Sequence, residues 1–253
     1  MPVELALTPD SRWDIDTGEL VQAAHRAGFT GLGLHASRAT PEVAAAYAAA
    51  GMRCHELLAL LFSDNEPATL SSAEKLAEAA AVAGAEWVLT VFRGGLNRDT
   101  ARLVERCAAM FAGAGAGMAV EFSPLGPVPS IQAGLEVVAA AGGGRAGLMI
   151  DSWHFSYGDS TWEDLAAVPL EKIAYVQFAD GLAPVSDDLM RETMDRRALP
   201  GEGVLELDRF AATLRERGWQ GVVSVEVLSQ ELRELPVPEF AQRAWTAAAR
   251  YWA

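Results

Sequence analysis

The segment Gly147-Leu148-Met149-Ile150-Asp151 is an unbroken apolar run that ends in an acid. Three other short apolar runs also end in a side chain that carries an oxygen donor: Met118–Glu121, Ile173–Gln177 and Val222–Glu226. Runs that are apolar throughout are typical of parallel strands covered on both faces. The carboxyl ends of such strands meet at one mouth when the sheet closes into a barrel. The sequence therefore predicts that these three carboxylates and one amide lie close together.

Strand-like runs alternate with alanine-rich helical segments along the whole chain. Eight strand–helix units in 253 residues predict an α/β fold, a (β/α)8 barrel that forms a single domain over residues 1–253. A doubly wound open sheet is the alternative, but the glycine-rich stretch 113–117 precedes a strand instead of following one, as a dinucleotide site would require. The predicted strands are Val3–Leu7, Gly31–His35, Met52–Leu58, Trp87–Phe92, Met118–Glu121, Gly147–Asp151, Ile173–Gln177 and Val222–Glu226.

Capping residues predict where several helices begin and end. A helix over Asp16–Ala27 is expected to end before Gly28, and Thr40 followed by Pro41 marks the start of another. Ser71 lies three residues before Glu74, which is the spacing of a capping box and predicts a helix over residues 71–83.

Composition limits the classes of partner. The chain is 51% hydrophobic and has 34 acidic against 20 basic residues, which gives a formal net charge of −14. Such a chain repels nucleic acids and anionic membrane surfaces, so neither is an expected partner. No apolar run reaches the roughly 20 residues of a membrane helix, and no signal peptide is evident at the N-terminus. The two cysteines form no C-x-x-C pair and are expected to be buried thiols. The predicted location is the cytoplasm.

The stretch 178–206 interrupts the regular alternation. A connection this long inside a compact domain is usually a lid or a binding loop. It follows the seventh predicted strand and is rich in charged residues, with Arg197 near its end. We expect an active-site loop that carries an arginine to substrate oxygens, and a solvated, partly helical excursion is the alternative.

Five short motifs occur in an order and spacing that resemble the xylose isomerase-like TIM-barrel superfamily, the sugar phosphate isomerase and epimerase family. The resemblance covers nearly the whole chain and implies a TIM barrel. It is specific for the superfamily and does not single out one activity. The motifs are Ala119-Val120-Glu121-Phe122, Met149-Ile150-Asp151-Ser152-Trp153-His154-Phe155, Tyr175-Val176-Gln177-Phe178-Ala179-Asp180, Arg197-Ala198-Leu199-Pro200-Gly201-Glu202-Gly203 and Ser224-Val225-Glu226-Val227.

The resemblance implies a divalent metal, Mn²⁺ or Mg²⁺, held at the strand ends. Glu121, Asp151 and Glu226 match three of the family's ligand positions. Gln177 stands where the family usually has a histidine, which departs from the pattern. An amide oxygen is a hard, neutral donor that suits Mg²⁺ or Mn²⁺. The site could therefore bind a hard cation, bind metal weakly or have lost it.

The same resemblance assigns proton transfer to Glu121 and Glu226. A carboxylate beside a chelated hydroxyketone can remove the proton next to the carbonyl, while the cation stabilises the resulting enediolate. Further residues at strand ends and on the long loop are candidates for substrate binding: His154, Arg197, His35, Arg93, Asp180 and Glu56.

The leading functional hypothesis is an isomerase or epimerase acting on a sugar, inosose or related keto-polyol. A lyase or dehydratase would use the same enediolate chemistry on a keto-sugar, inosose or dehydroshikimate-like substrate, and a repurposed non-catalytic barrel is the other alternative. A DNA-repair endonuclease of the same superfamily needs a histidine-rich metal cluster and a basic face, whereas this chain has four histidines. The expected partner is a small polyhydroxylated molecule. A homo-oligomer stays open, because the aromatic residues of the last helix can pack on a neighbouring copy or on the barrel.

Overall fold

The computed structural model describes residues 3–252 and shows a closed barrel of eight parallel strands, which confirms the predicted fold. Around the barrel the strands follow the order β1, β10, β7, β6, β5, β4, β3, β2. The remaining two strands, β8 and β9, form a separate antiparallel hairpin. The strands are β1 (Glu4–Thr8), β2 (Gly31–His35), β3 (Arg53–Phe62), β4 (Trp87–Phe92), β5 (Gly117–Glu121), β6 (Ala146–Asp151), β7 (Ile173–Gln177), β8 (Asp180–Gly181), β9 (Arg197–Ala198) and β10 (Val222–Glu226).

Helices surround the barrel and cover its outer face. Short 3₁₀ turns lie at Ala36–Arg38, Leu170–Lys172 and Leu232–Glu234. The α-helices are α1 (Thr17–Ala27), α2 (Pro41–Ala49), α3 (Glu66–Ala83), α4 (Arg98–Gly113), α5 (Ile131–Ala140), α6 (Ser152–Tyr157), α7 (Trp162–Ala167), α8 (Leu189–Asp195), α9 (Leu207–Glu216) and α10 (Val237–Trp252).

The helix starts predicted from capping residues are correct for two helices and wrong for a third. Asp16 caps α1, which ends at Gly28 with a φ of 109°, and Thr40 caps α2. The predicted start of α3 at Ser71 is wrong: the helix begins at Glu66, because Asn65 accepts a hydrogen bond from the backbone N–H of the third helical residue. β3 is also longer than predicted and ends at Phe62.

The long stretch after β7 has its own secondary structure. Asp180–Gly181 pairs antiparallel with Arg197–Ala198, and α8 lies between these two short strands. This hairpin returns the chain to the carboxyl end of the barrel, so Arg197 is fixed by strand pairing and not carried on an irregular loop.

Alternation along the strands decides which side chains enter the barrel. On β5, β6 and β7 the residues Val120, Ile150 and Val176 pack outward in the main hydrophobic core. Their neighbours Ala119, Met149 and Tyr175 form a second apolar cluster inside the barrel. Because side chains alternate with period two, the last residue of each of these strands also points inward. The predicted meeting of strand-end residues follows from this geometry.

Two glycines on β2 leave space in the barrel for larger buried side chains. A Cβ atom on Gly31 would lie 3.1 Å from the Cβ of Ala6 and 3.5 Å from Nδ1 of His55. A Cβ on Gly33 would lie 3.0 Å from Oε1 of Glu56 and 3.2 Å from Oγ1 of Thr8. The missing side chains at Gly31 and Gly33 therefore make room for His55 and Glu56 from β3.

We expect Gly33→Ala to destabilise the protein by about 1–3 kcal/mol, because the added methyl group overpacks the space beside Glu56. Urea unfolding measures the change. Gly113→Ala is the matched control, since nothing lies within 4 Å of a Cβ at that position. Equal midpoints for the two variants would contradict this account of the barrel interior.

The last helix packs on its own barrel. Phe178 contacts Tyr251 and Trp252 with ring centroids 5.3 and 5.4 Å apart, and Trp252 is buried. Both cysteines are buried free thiols, as expected. Among the described helices, none combines the length and the apolar character needed to cross a membrane.

Candidate active site

Arg197 lies at the centre of the acidic residues at the barrel mouth. Its Nη1 is 2.6 Å from Oδ2 of Asp151 and 3.4 Å from Oε2 of Glu226. Thr193 on α8 accepts hydrogen bonds from Nε and Nη2 at 3.2 and 3.0 Å, and Nη2 lies 3.4 Å from Nε2 of His154. The guanidinium is 2% exposed, so these contacts are formed away from bulk water.

Asp151 links the end of β6 to the start of α6. Its Oδ1 accepts the backbone N–H groups of Trp153 and His154 at 2.6 and 3.0 Å, which is an N-terminal helix cap. Burial raises the pKa of Asp151, but the positive charge of Arg197, with smaller contributions from His154 and the hydrogen bonds, brings the pKa below its usual value. The carboxylate is therefore ionised and rigidly held.

Glu121 at the end of β5 pairs with a histidine on α6. Nε2 of His154 is 2.7 Å from Oε1 of Glu121, and Ser123 lies 3.3 Å from the other ring nitrogen. Glu121 keeps 12% of its side chain exposed, while His154 is buried. This pair therefore has a partly open carboxylate and an adjacent group that can share its proton.

Glu226 at the end of β10 has a pKa well above its usual value. Burial is the main cause, and the negative charges of Asp151, Glu56 and Glu121 add to it. The charge of Arg197 lowers this pKa but does not outweigh those effects. The environment of Glu226 therefore favours the protonated carboxyl group more than that of an ordinary glutamate does.

A second polar group lies deeper in the barrel, which we call the Glu56 cluster: Thr8, His55, Glu56, Tyr175, Gln177 and Ser224. Oε1 of Glu56 accepts from Thr8 and lies 3.1 Å from Nε2 of His55. Oε2 accepts from the Tyr175 hydroxyl and, at 3.4 Å, from Nε2 of Gln177. Burial raises the pKa of Glu56, yet His55 and the hydrogen bonds bring it below its usual value. Thr8 also lies 2.6 Å from Ser224.

Gln177 has an unusual environment within this cluster. Its residue is 1% exposed, and Oε1 has no hydrogen-bond partner among the described residues. A buried polar atom without a partner costs about 1–3 kcal/mol. Such a cost is offset when a ligand, water molecule or cation meets the oxygen.

An ionic cluster ties the barrel rim to α8. The buried carboxylate of Asp10 pairs with Arg12 at 2.7 Å and with Arg233 at 2.6 Å. Arg12 also reaches Asp195 at 2.9 Å and donates to the carbonyl of Met194. The loops after β1 and β10 are thereby fastened to the segment that presents Arg197.

Asp10 makes stability depend on acid pH. Burial raises its pKa, but hydrogen bonds from Arg12 and Arg233 lower it below the usual 3.8. Its contribution is therefore complete above about pH 3.8 and is lost as the pH falls through the lower folded-state pKa. We expect Asp10→Asn to remove about 1.5–3 kcal/mol at neutral pH and to flatten the acid limb of the stability curve. Asp14→Asn, at an exposed site on the same loop, should do neither; equal pH profiles for both variants would refute this.

Two of the predicted substrate contacts, Asp180 and Glu56, bind protein groups in this structure. Asp180 accepts the backbone N–H groups of Gly181, Gly201, Gly203 and Leu205, so both of its oxygens hold the 200–205 turn in place. Glu56 is fully buried beneath the mouth and serves the cluster described above.

The other predicted residues are distributed as follows. His154 and Arg197 lie with the three strand-end acids, whereas His35 and Arg93 are exposed on the rim. Thr193 and Tyr175 were not predicted from the sequence. Tyr175 could have been found from the period-two alternation, since it lies two residues before Gln177 on one strand. No sequence signal marked Thr193.

The donors at the mouth suit a hard divalent cation. The strand-end residues offer three carboxylates and the partnerless Gln177 oxygen, which are donors of the kind that Mg²⁺ and Mn²⁺ prefer. In the arrangement described, Arg197 supplies the positive charge to Asp151 and Glu226. Within residues 3–252, no three acidic, histidine or cysteine side chains surround a common point. A bound cation would therefore share or take over carboxylates that Arg197 now holds.

Comparison with known proteins identifies the family. The family described as xylose isomerase-like TIM barrel matches residues 21–251. The chain belongs to this family. Inosose isomerase of Halalkalibacterium halodurans is 30% identical over 132 residues, which is 51% of this chain and 46% of that protein. 3-Dehydroshikimate dehydratase of Pseudomonas aeruginosa is 33% identical over 102 residues, 40% of this chain and 16% of that protein. The matched part is thus less than half of either relative.

Solved structures share the fold over the full length of this barrel. The IOLI protein, crystallised with a zinc atom, superposes with a TM-score of 0.87 and 19% identity, covering 99% of this chain and all of that one. D-Allulose 3-epimerase from Methylomonas sp. superposes with a TM-score of 0.74 and 14% identity, covering 99% and 98% of the two chains. At these identities the likeness establishes the fold alone.

Proposed function

We propose that the protein is a divalent-metal-dependent isomerase or epimerase that acts on a neutral sugar, inosose or related keto-polyol. The observation that carries the proposal is the pair Glu121 and Glu226, two glutamates at the ends of β5 and β10 on either side of the Asp151–Arg197 ion pair. The similarity to inosose isomerases supports the substrate class.

In this mechanism the two glutamates exchange protons with the substrate. Glu121, partly exposed and paired with His154, takes the proton next to the carbonyl. Glu226, at the end of β10, returns a proton to the neighbouring carbon or to the opposite face. The first outcome is an aldose–ketose isomer and the second an epimer, both through an enediolate.

A cation would be held by Glu121, Asp151, Gln177 and Glu226, and the oxygen donors favour Mn²⁺ or Mg²⁺. Bound there, it would stabilise negative charge on the substrate oxygens. His154 contacts Arg197 and is therefore also close to the proposed substrate site.

The charge balance at the mouth favours a neutral substrate over the anionic one that a dehydroshikimate-type dehydratase binds. Arg197 is committed to Asp151 and Glu226, and Arg12 and Arg233 are committed to Asp10. Arg93 is exposed, and an exposed ion pair contributes only about 0–1 kcal/mol. The three carboxylates at the mouth balance the charges of a divalent cation and Arg197, so no net positive charge is left there for a substrate carboxylate.

Proton exchange in deuterated water tests the proposal. The protein, stripped with EDTA and reloaded with Mn²⁺ or Mg²⁺, is incubated with a panel of ketoses and inososes and with 3-dehydroshikimate, and the products are followed by NMR. Metal-dependent deuterium incorporation into a neutral substrate, with an isomeric product, is the expected result. An unsaturated product would favour the lyase, and no exchange with any compound would favour the non-catalytic barrel.

A further inference from the structure

The Glu56 cluster has no role in the proton transfers proposed above. Glu56 is fully buried and meets four donors, two on each carboxylate oxygen. A buried charge is expensive unless it is fully hydrogen-bonded. The glycines at positions 31 and 33 give up side-chain volume to accommodate it. The cost of burying this carboxylate indicates that it contributes to function.

One of the four donors is the amide of Gln177. Its Nε2 donates to Oε2 of Glu56, whereas its Oε1 has no partner. Oε2 of Glu56 accepts a hydrogen bond from the Tyr175 hydroxyl as well, so the opposite amide orientation would set two acceptor oxygens against each other. The hydrogen bond to Glu56 therefore decides which end of the amide is free.

The backbone of Gln177 is level with that of one candidate ligand, Asp151. Gln177 pairs in register with Asp151 on β6 and with Ser224 on β10, two residues before Glu226. A neutral side chain at this position can serve a cation only through its oxygen, because an amide NH₂ carries two donors and no acceptor. The orientation of the amide is thus decisive for this position.

We propose that Glu56 is a positioning residue that holds the amide of Gln177 with its oxygen available to a divalent cation. This inference rests on the proposed function, since it assumes a cation at the barrel mouth. Removing a carboxylate that is hydrogen-bonded to a metal ligand commonly weakens metal binding about 10- to 100-fold. Here the carboxylate would act on an amide.

Tyr175 supports the same orientation. Its hydroxyl donates a hydrogen bond to Oε2 of Glu56, which also accepts from Nε2 of Gln177. The tyrosine therefore holds this oxygen in position for the amide. Thr8 and His55 hold Oε1 in the same way. Removing the tyrosine hydroxyl should therefore weaken the orientation without removing the charge of Glu56.

A double-mutant cycle on Mn²⁺ binding tests the proposal. The dissociation constant is measured by the EPR signal of free Mn²⁺ for the wild type, Glu56→Gln, Gln177→Ala and the double variant. We expect Glu56→Gln to weaken binding about 10- to 100-fold. In the Gln177→Ala background the same change should alter binding by no more than about twofold.

The background dependence separates positioning from other effects. Loss of a nearby negative charge, or general loosening of the barrel, would weaken Mn²⁺ binding equally in both backgrounds and would overturn the proposal. Thr90→Val is the control for loosening, since Thr90 is buried on β4 between two inward-facing residues. Wild-type protein that binds no Mn²⁺ would reject the metal-dependent function itself, together with the inference. Binding that is intact but uncoupled rejects the inference alone.

Tyr175→Phe provides a second route if Glu56→Gln does not fold. It preserves the charge of Glu56 and removes one donor to Oε2. We expect a smaller loss of Mn²⁺ affinity in the same direction, again absent in the Gln177→Ala background. An unchanged dissociation constant for a folded Tyr175→Phe protein, measured in the Gln177 background, would count against the proposal.

Discussion

Glu121→Gln and Glu226→Gln should each lower the turnover of the isomerase or epimerase reaction by about 10²- to 10⁴-fold, the range typical of a lost general acid or base. Both substitutions keep the size of the side chain and remove its ability to exchange a proton. The loss should appear in kcat. Steady-state kinetics on the best substrate from the exchange panel measures it.

The two variants should differ in what they still do. Whichever glutamate performs the first abstraction, its variant also loses deuterium exchange into the substrate. The variant of the other glutamate retains exchange at the first carbon while failing to complete the conversion. We expect Glu121→Gln to be the variant that loses exchange, because Glu121 is the carboxylate paired with His154, whereas Glu226 has a raised pKa.

Glu86→Gln is the matched control for these variants. Glu86 precedes β4, at the opposite end of the barrel, and pairs with the exposed Arg53 at 2.6 Å. Its loss should leave turnover unchanged. Turnover within about tenfold of wild type for both mouth variants would remove the glutamates from the chemistry.

The strand-end residues could be predicted from the sequence because each of them depends only on the residues of its own strand. An apolar run such as Met118–Glu121 gives the strand, and the parity of its last residue gives the side that faces the barrel interior. Closure of the sheet then brings the ends together whatever the details of packing. The four residues Glu121, Asp151, Gln177 and Glu226 all follow from this reasoning.

The partners of these residues could not be predicted in the same way. Arg197 was expected to face the substrate, yet it contacts Asp151 and Glu226, a choice that depends on the β8–β9 hairpin. Asp180 occupies the family's position but is used by backbone N–H groups of the neighbouring turn. Both outcomes depend on the conformation of residues 178–206, where no periodic pattern constrains the chain.

The burial of Glu56 illustrates a further limit. The residue lies within β3, where a glutamate among apolar neighbours predicts either a functional group or an exposed edge. The structure buries it because the side chains absent at Gly31 and Gly33, on the adjacent strand, leave the necessary volume. That complementarity links positions more than twenty residues apart, and the alignment of strands needed to see it is a property of the closed barrel.

Arg197→Met should destabilise the metal-free protein by about 3–5 kcal/mol, the usual cost of removing one partner from a buried ion pair. Asp151 is 1% exposed and would lose its closest positive charge. Glu226, whose pKa is already raised by burial and by neighbouring carboxylates, would lose the positive charge of Arg197 that lowers it. Urea unfolding after EDTA treatment measures the change.

Arg191→Met is the matched control, because Arg191 lies on the neighbouring helix α8 and its side chain is exposed. Its loss should cost no more than about 1 kcal/mol. The deficit of Arg197→Met should also shrink as the pH is lowered, since the carboxyl groups it leaves without a partner become protonated and lose their unfavourable charge.

Added Mn²⁺ distinguishes a structural arginine from one that competes with a cation. If Arg197 and the cation share Asp151 and Glu226, Mn²⁺ should raise the stability of Arg197→Met more than that of the wild type, because binding no longer displaces an existing ion pair. The same displacement predicts a lower Mn²⁺ dissociation constant for the variant. An equal gain for wild type and variant would mean that the guanidinium and the cation occupy separate places at the mouth, and the carboxylates would then serve the two charges independently.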